Sequence, residues 1–130
     1  MSSDTGEDRI GEFDAFRKRM NDRILAEPNQ VVRRFFALDT QTYQPGALDR
    51  KTKELLGLVA SMVLRCDDCI SYHVGQCHAA GASREELFET FSVALVVGGS
   101  IVIPHLRRAV DFLDALERGA AAAPDGHPHV

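Results

Sequence analysis

Two cysteines lie three residues apart in the run Cys66-Asp67-Asp68-Cys69, with His73 four residues beyond the second and Glu54 twelve residues before the first. Residues three and four apart share a helix face, so a helix through this stretch puts Cys66, Cys69 and His73 on one stripe where their side chains can meet. The thiolate is the reactive form of cysteine. Unpaired amides at a helix N-terminus and a neighbouring imidazole that accepts the thiol proton both favour it. Attack of a thiolate on the terminal oxygen of a hydroperoxide gives a sulfenic acid, and the second thiol condenses with that acid to a disulfide. Glu54 can hold the imidazole in orientation and take up the proton.

Position alone makes Cys66, at the extreme helix end, the more exposed and acidic thiol. Asp68 works against it, because a nearby carboxylate disfavours a second negative charge, so turnover is expected to be modest. Zinc is the rival chemistry for Cys66, Cys69, His73 and Cys77. At about 1.5 Å rise per residue, Cys66 and Cys77 would stand about 16 Å apart along one helix, whereas zinc–sulfur bonds of about 2.3 Å need converging ligands. A site of Cys66, Cys69 and His73 with Glu54 as fourth ligand stays open. The redox reading calls for no metal and no cofactor, and Cys77 is then a packed thiol.

Proline and glycine punctuate segments of helical period, and no alternating run long enough for a sheet occurs, so the sequence predicts an all-α, compact domain of about six helices. The first spans about Asp8 to Ala26, with Ile10, Phe13, Phe16, Met20 and Ile24 on one face; the second spans about Val31 to Thr40, carrying Val32, Phe35, Phe36 and Leu38. Tyr43-Gln44-Pro45-Gly46 reads as a turn. Asp49 caps a third helix reaching about Arg65, with Leu55, Leu56, Val59, Met62 and Val63 inward and Glu54 in its early turns. The fourth starts between Cys66 and Asp68, where the paired aspartates can cap it, and ends at Gly81. Ser83 and Glu86 form a capping box for a fifth helix from Arg84 to Gly98-Gly99. The last spans Ile101 to Arg118, with Pro104 in its first turn. Segments 1–7 and 119–130 are expected to be disordered around a single domain, 8–118.

A chain of 130 residues suits one such domain. A net charge of −4 and the lack of a basic run exclude a nucleic-acid backbone as partner. The apolar run from Val93 to Ile103 is too short for a bilayer, which takes roughly 20 residues, so no membrane role is expected. Phe91, Val93, Ala94, Leu95, Val96 and Val97 surround their helix, which predicts a homo-oligomer that buries part of this segment. The N-terminus, Met1 to Asp8, is polar and acidic, unlike a leader peptide, and three cysteines make an odd number; both point to the reducing cytoplasm. His78 reads as a surface residue or one of the helix C-terminus, His105 as structural or on the surface, Tyr72 as a packed aromatic beside His73, and His127 and His129 as parts of the tail.

Glu54, eleven residues, Cys66-x-x-Cys69, three residues and His73 together resemble the signature of the alkylhydroperoxidase D-like branch of the carboxymuconolactone decarboxylase family. The similarity runs from Gly46 through Lys51-Thr52-Lys53-Glu54-Leu55 and the cysteine helix to Gly98-Gly99. It implies an all-α fold, hexamers or trimers, and a thiol-dependent peroxidase reducing small or organic hydroperoxides with a dithiol protein or small molecule as reductant. It also implies Cys69 as the peroxidatic thiol, Cys66 as the resolving one, and His73 and Glu54 as a proton relay; spacing leaves the division between the cysteines open. Members of the family that decarboxylate a lactone are associated with lacking the cysteine pair. A non-catalytic oligomeric redox sensor or disulfide-exchange protein is the alternative.

Overall fold

The computed structural model describes residues 6–119, and among them only helices occur. They are α1 (Gly6–Leu25), α2 (Gln30–Thr42), α3 (Arg50–Leu64), α4 (Asp67–Ala79), α5 (Arg84–Gly98) and α6 (Ile103–Glu117), with one 3₁₀ turn, Ser100–Val102, before the last. Helix α1 begins at Gly6, two residues before the expected start. The rest of the segments expected to be disordered, His127 and His129 included, falls outside the described residues, Gly119 excepted.

Local capping chemistry sets most boundaries. Asp49 accepts from the Thr52 amide at 2.8 Å, and Ser83 and Glu86 satisfy each other's backbone N–H groups at 3.0 and 2.8 Å. These amide bonds hold both carboxylates below the usual range, with Lys51, 2.9 Å from Glu86, adding to the effect there. Asn29 caps α2, one residue earlier than the sequence suggested, through the Val32 amide at 3.0 Å. Helix α4 runs to Ala79, and Gly81, at φ +90°, is the left-handed residue that closes it just beyond the cap, as the sequence suggested. There Gly81 N–H reaches the His78 carbonyl and Ala82 N–H the Cys77 carbonyl, at 3.1 and 3.0 Å.

The core lies where α3 packs on α4 and α5, and α6 on α4 and α1. Leu58 and Met62, Ile70 and Val74, Leu87 and Phe91, and Leu113 all sit in it with essentially no exposure. The inward stripe of α3 is Glu54, Leu58, Ser61 and Met62, so the stripe drawn through Leu56 is displaced, and Leu56 faces outward. Phe16, Ile24, Phe35 and Leu38 are likewise exposed, and α2 buries no side chain. Helix α5 buries Leu87, Phe91 and Ala94 but leaves Val93, Val96 and Val97 outside. Among the described residues, no helix is long and apolar enough to cross a membrane.

Candidate active site

Arg65 ends α3 in the left-handed conformation, φ 61°, which costs a non-glycine residue roughly 1 kcal/mol. Its amide returns to the Met62 carbonyl at 3.0 Å, and that of Cys66 to Ser61 at 3.1 Å. This two-residue connection turns the chain straight into α4 and lays the two helices side by side. Cys66 is the N-cap: its Sγ accepts from the Cys69 amide at 3.3 Å, and the two sulfurs form a disulfide. The cap is therefore a sulfur, not the aspartates.

Asp67 instead turns to α6, where its oxygens meet His105 Nδ1 at 2.7 Å and Arg108 at 3.2 Å. His105 thus anchors the start of α4 rather than lying idle on the surface. Cys69 is exposed and Cys66 half-buried, the reverse of the order expected from position. Curling back over the helix end encloses Cys66.

Behind the disulfide, His73 Nδ1 lies 2.9 Å from Glu54 Oε1. Glu54 has no exposed surface and His73 only 7 %. A carboxylate is stable in such a place only when partnered. Its other oxygen faces Arg50 Nη2 at 3.5 Å, and Arg50 also donates to the buried Gln76 at 3.1 Å. An ionised Glu54 accepts from Nδ1–H and leaves Nε2 of a neutral imidazole as the nitrogen able to take a proton.

Cys69 and His73 line one cavity of about 340 Å³ with Asp68 and Tyr72 of α4, Asp39 of α2 and Ser61 of α3. Phe13, Phe16, Arg17 and Met20 of α1 form its apolar wall and rim. Tyr72 is buried, its ring 5.7 Å from that of His73, with the Arg17 guanidinium 3.8 Å over its face. Spacing missed Arg17 and Asp39 as cavity residues, because they reach it from α1 and α2; Tyr72, read as packed, is buried and also lines the cavity. Cys77 lies buried in the core, and burial, with Glu54's charge adding, pushes its thiol well above the ordinary range. It is a packed residue, as expected. Among the described residues, no three His, Cys, Asp or Glu side chains converge as metal ligands.

Glu54 and His73 thus form a carboxylate–imidazole couple, Cys66 and Cys69 are joined, and Cys69 and His73 line one cavity. The sequence profile of the carboxymuconolactone decarboxylase family matches residues 29–112, which contain all of them. The chain belongs to the carboxymuconolactone decarboxylase family.

Two crystal structures of one Thermotoga maritima protein, 58 and 57 % identical, superpose with TM-scores of 0.81 and 0.79; they cover 82 % of this chain and 94 and 91 % of the other. That protein is described as a carboxymuconolactone decarboxylase family member proposed to be involved in an antioxidative response. A family protein of Legionella pneumophila, solved in its apo form, is 29 % identical, with a TM-score of 0.72 over 87 % of this chain and 98 % of its own. Among curated sequences, an uncharacterised protein of the Paracoccus denitrificans cox locus is 31 % identical over 83 residues, 64 % of this chain and 75 % of its own length. The carboxymuconolactone decarboxylase assignment fixes the all-α fold and is compatible with more than one chemistry. The side chains must supply the function.

Proposed function

We propose that the chain is a thiol-dependent peroxidase of the alkylhydroperoxidase D-like type, reducing small or organic hydroperoxides through a Cys66–Cys69 redox disulfide. The observation that carries this reading is a disulfide whose exposed sulfur shares a cavity with an imidazole held by a buried carboxylate. Cys69 is the peroxidatic thiol, because it is the cysteine that lines the cavity. His73 takes its proton, with Glu54 stabilising the imidazolium, while the amides of the first turn of α4 favour the thiolate. The thiolate displaces ROH from ROOH, with the proton returned to the leaving oxygen, and becomes a sulfenic acid. Cys66 attacks that sulfur and expels water, giving the disulfide. A dithiol protein or small molecule in the cytoplasm then reduces the disulfide and is itself oxidised.

Hydroperoxide consumption with excess dithiol tests the reading. Wild type should turn over and Cys69→Ser should not. Equal rates would leave a disulfide-exchange or sensor role in its place.

The same reading makes the chain a homo-oligomer, a hexamer or alternatively a trimer. Val93, Val96 and Val97 lie on the exposed side of α5, and Val96 is 86 % exposed. Contiguous exposed apolar side chains of this kind mark interaction surfaces. Sedimentation equilibrium should return a multiple of the chain mass, and Val96→Glu should lower it. A wild-type monomer at micromolar concentration would exclude the assembly.

A further inference from the structure

Gly57 lies in the interior of α3, one turn beyond Glu54, and two side chains close on it. A Cβ at this position would stand 2.6 Å from Cε1 and 2.9 Å from Nε2 of His73, and 2.6 Å from the Tyr43 hydroxyl oxygen. The nitrogen that Glu54 does not hold and the tyrosine hydroxyl thus converge on a single patch of helix backbone. The Tyr43 and His73 rings are 5.6 Å apart, tilted by 36°. Tyr43 is the C-cap of α2, and its place is fixed from α3: Lys53 Nζ donates to the carbonyls on either side of it, Thr42 at 2.8 Å and Gln44 at 2.6 Å. Lys53 directly precedes Glu54, so one helical turn sets both partners of the imidazole.

We propose that Tyr43 is a positioning residue of this site, its hydroxyl serving Nε2 of His73 as Glu54 serves Nδ1. A hydroxyl both donates and accepts, so it can donate to Nε2 of a neutral imidazole and accept from Nε2–H of a protonated one without moving the ring. In the disulfide state no thiol is available to that nitrogen. The hydroxyl then keeps the imidazole aligned until reduction returns the Cys69 thiol. Burial, with the charges of Glu54 and Asp39 adding, pushes the Tyr43 hydroxyl up to about 12, so it keeps its proton and remains a donor at neutral pH.

Tyr43→Phe removes one oxygen and keeps the ring. Nitrogen-resolved NMR of the His73 side chain in the full, disulfide-form chain reads the geometry directly. The Nε2 resonance should move toward that of an unbonded nitrogen while Nδ1 stays with Glu54. An unchanged Nε2 resonance overturns the proposal whatever the rate does. The second readout, peroxide-driven disulfide formation in the reduced chain, rests on the peroxidase reading. It should slow about tenfold in the maximal rate with little change in the half-saturating peroxide, as loss of a residue that orients a catalytic group does. A maximal rate equal to wild type also overturns it. If wild type itself forms no disulfide with peroxide, the peroxidase reading fails, and the Nε2 resonance alone decides on Tyr43.

Discussion

Glu54→Gln should slow peroxide-driven disulfide formation by at least about 100-fold, the lower end of what a positioned acid–base group contributes. Glutamine keeps the shape and can still accept from His73 Nδ1–H. It lacks the negative charge, so the imidazolium that forms as Cys69 loses its proton has no counter-ion in a place closed to water. Its amide also presents a donor to Arg50, where the carboxylate now faces Nη2 at 3.5 Å. Glutamine is a better probe than alanine, because removing one member of a buried pair costs about 3–5 kcal/mol and would confuse lost fold with lost chemistry. Single-turnover disulfide formation and a thermal melt separate the two. Turnover at the wild-type rate in a folded Glu54→Gln chain would sink the relay.

Much of the site was legible because its chemistry is local in sequence. The steps Cys66–Cys69–His73 fall on one helix, and Asp49, Ser83 with Glu86, Pro104 and Gly81 act within one turn of where they stand. Depth was not legible. An apolar stripe shows which face is apolar but not whether this chain covers it: Leu56, expected inside, stands outside, and so do Phe16, Phe35 and Leu38 of α1 and α2. The converse error concerns α3, where Glu54 and Ser61 take inward positions that an apolar pattern assigns to their neighbours. The order of exposure of the two thiols failed for a third reason. A cysteine acting as its own N-cap turns its sulfur inward, which position along a helix does not reveal.

Residues that reach the site from other helices left only faint marks in the sequence. Arg17, Tyr43 and His105 carry no spacing relation to the cysteine pair, and Tyr43 belongs to a segment that reads as a turn. Gly57 was the available signal. A glycine inside a helix costs about 1 kcal/mol relative to alanine, and a helix keeps one most readily where another group needs the room. Here the room is taken by His73 and Tyr43.

That crowding makes Gly57→Ala the sharpest test of how the imidazole is held. By helix propensity the substitution should stabilise α3 by about 1 kcal/mol. The added methyl would stand 2.6 Å from His73 Cε1 and from the Tyr43 hydroxyl, closer than carbon approaches either atom, so both must move. Overfilling a packed site costs about 1–3 kcal/mol, which propensity partly offsets, so the melting temperature should fall only slightly. Catalysis has no such offset. His73 is buried and bonded to Glu54 at 2.9 Å, and Tyr43 is held by Lys53, so the imidazole can clear the methyl only by tilting away from the carboxylate. A displacement of about 1 Å in a positioned group costs on the order of 100-fold in rate. Gly57→Ala should therefore give a folded chain that still forms the Cys66–Cys69 disulfide with a strong chemical oxidant, yet reacts with hydroperoxide about 100-fold more slowly. Wild-type turnover in this variant would mean that the imidazole does not work from the position against α3 in which it is found.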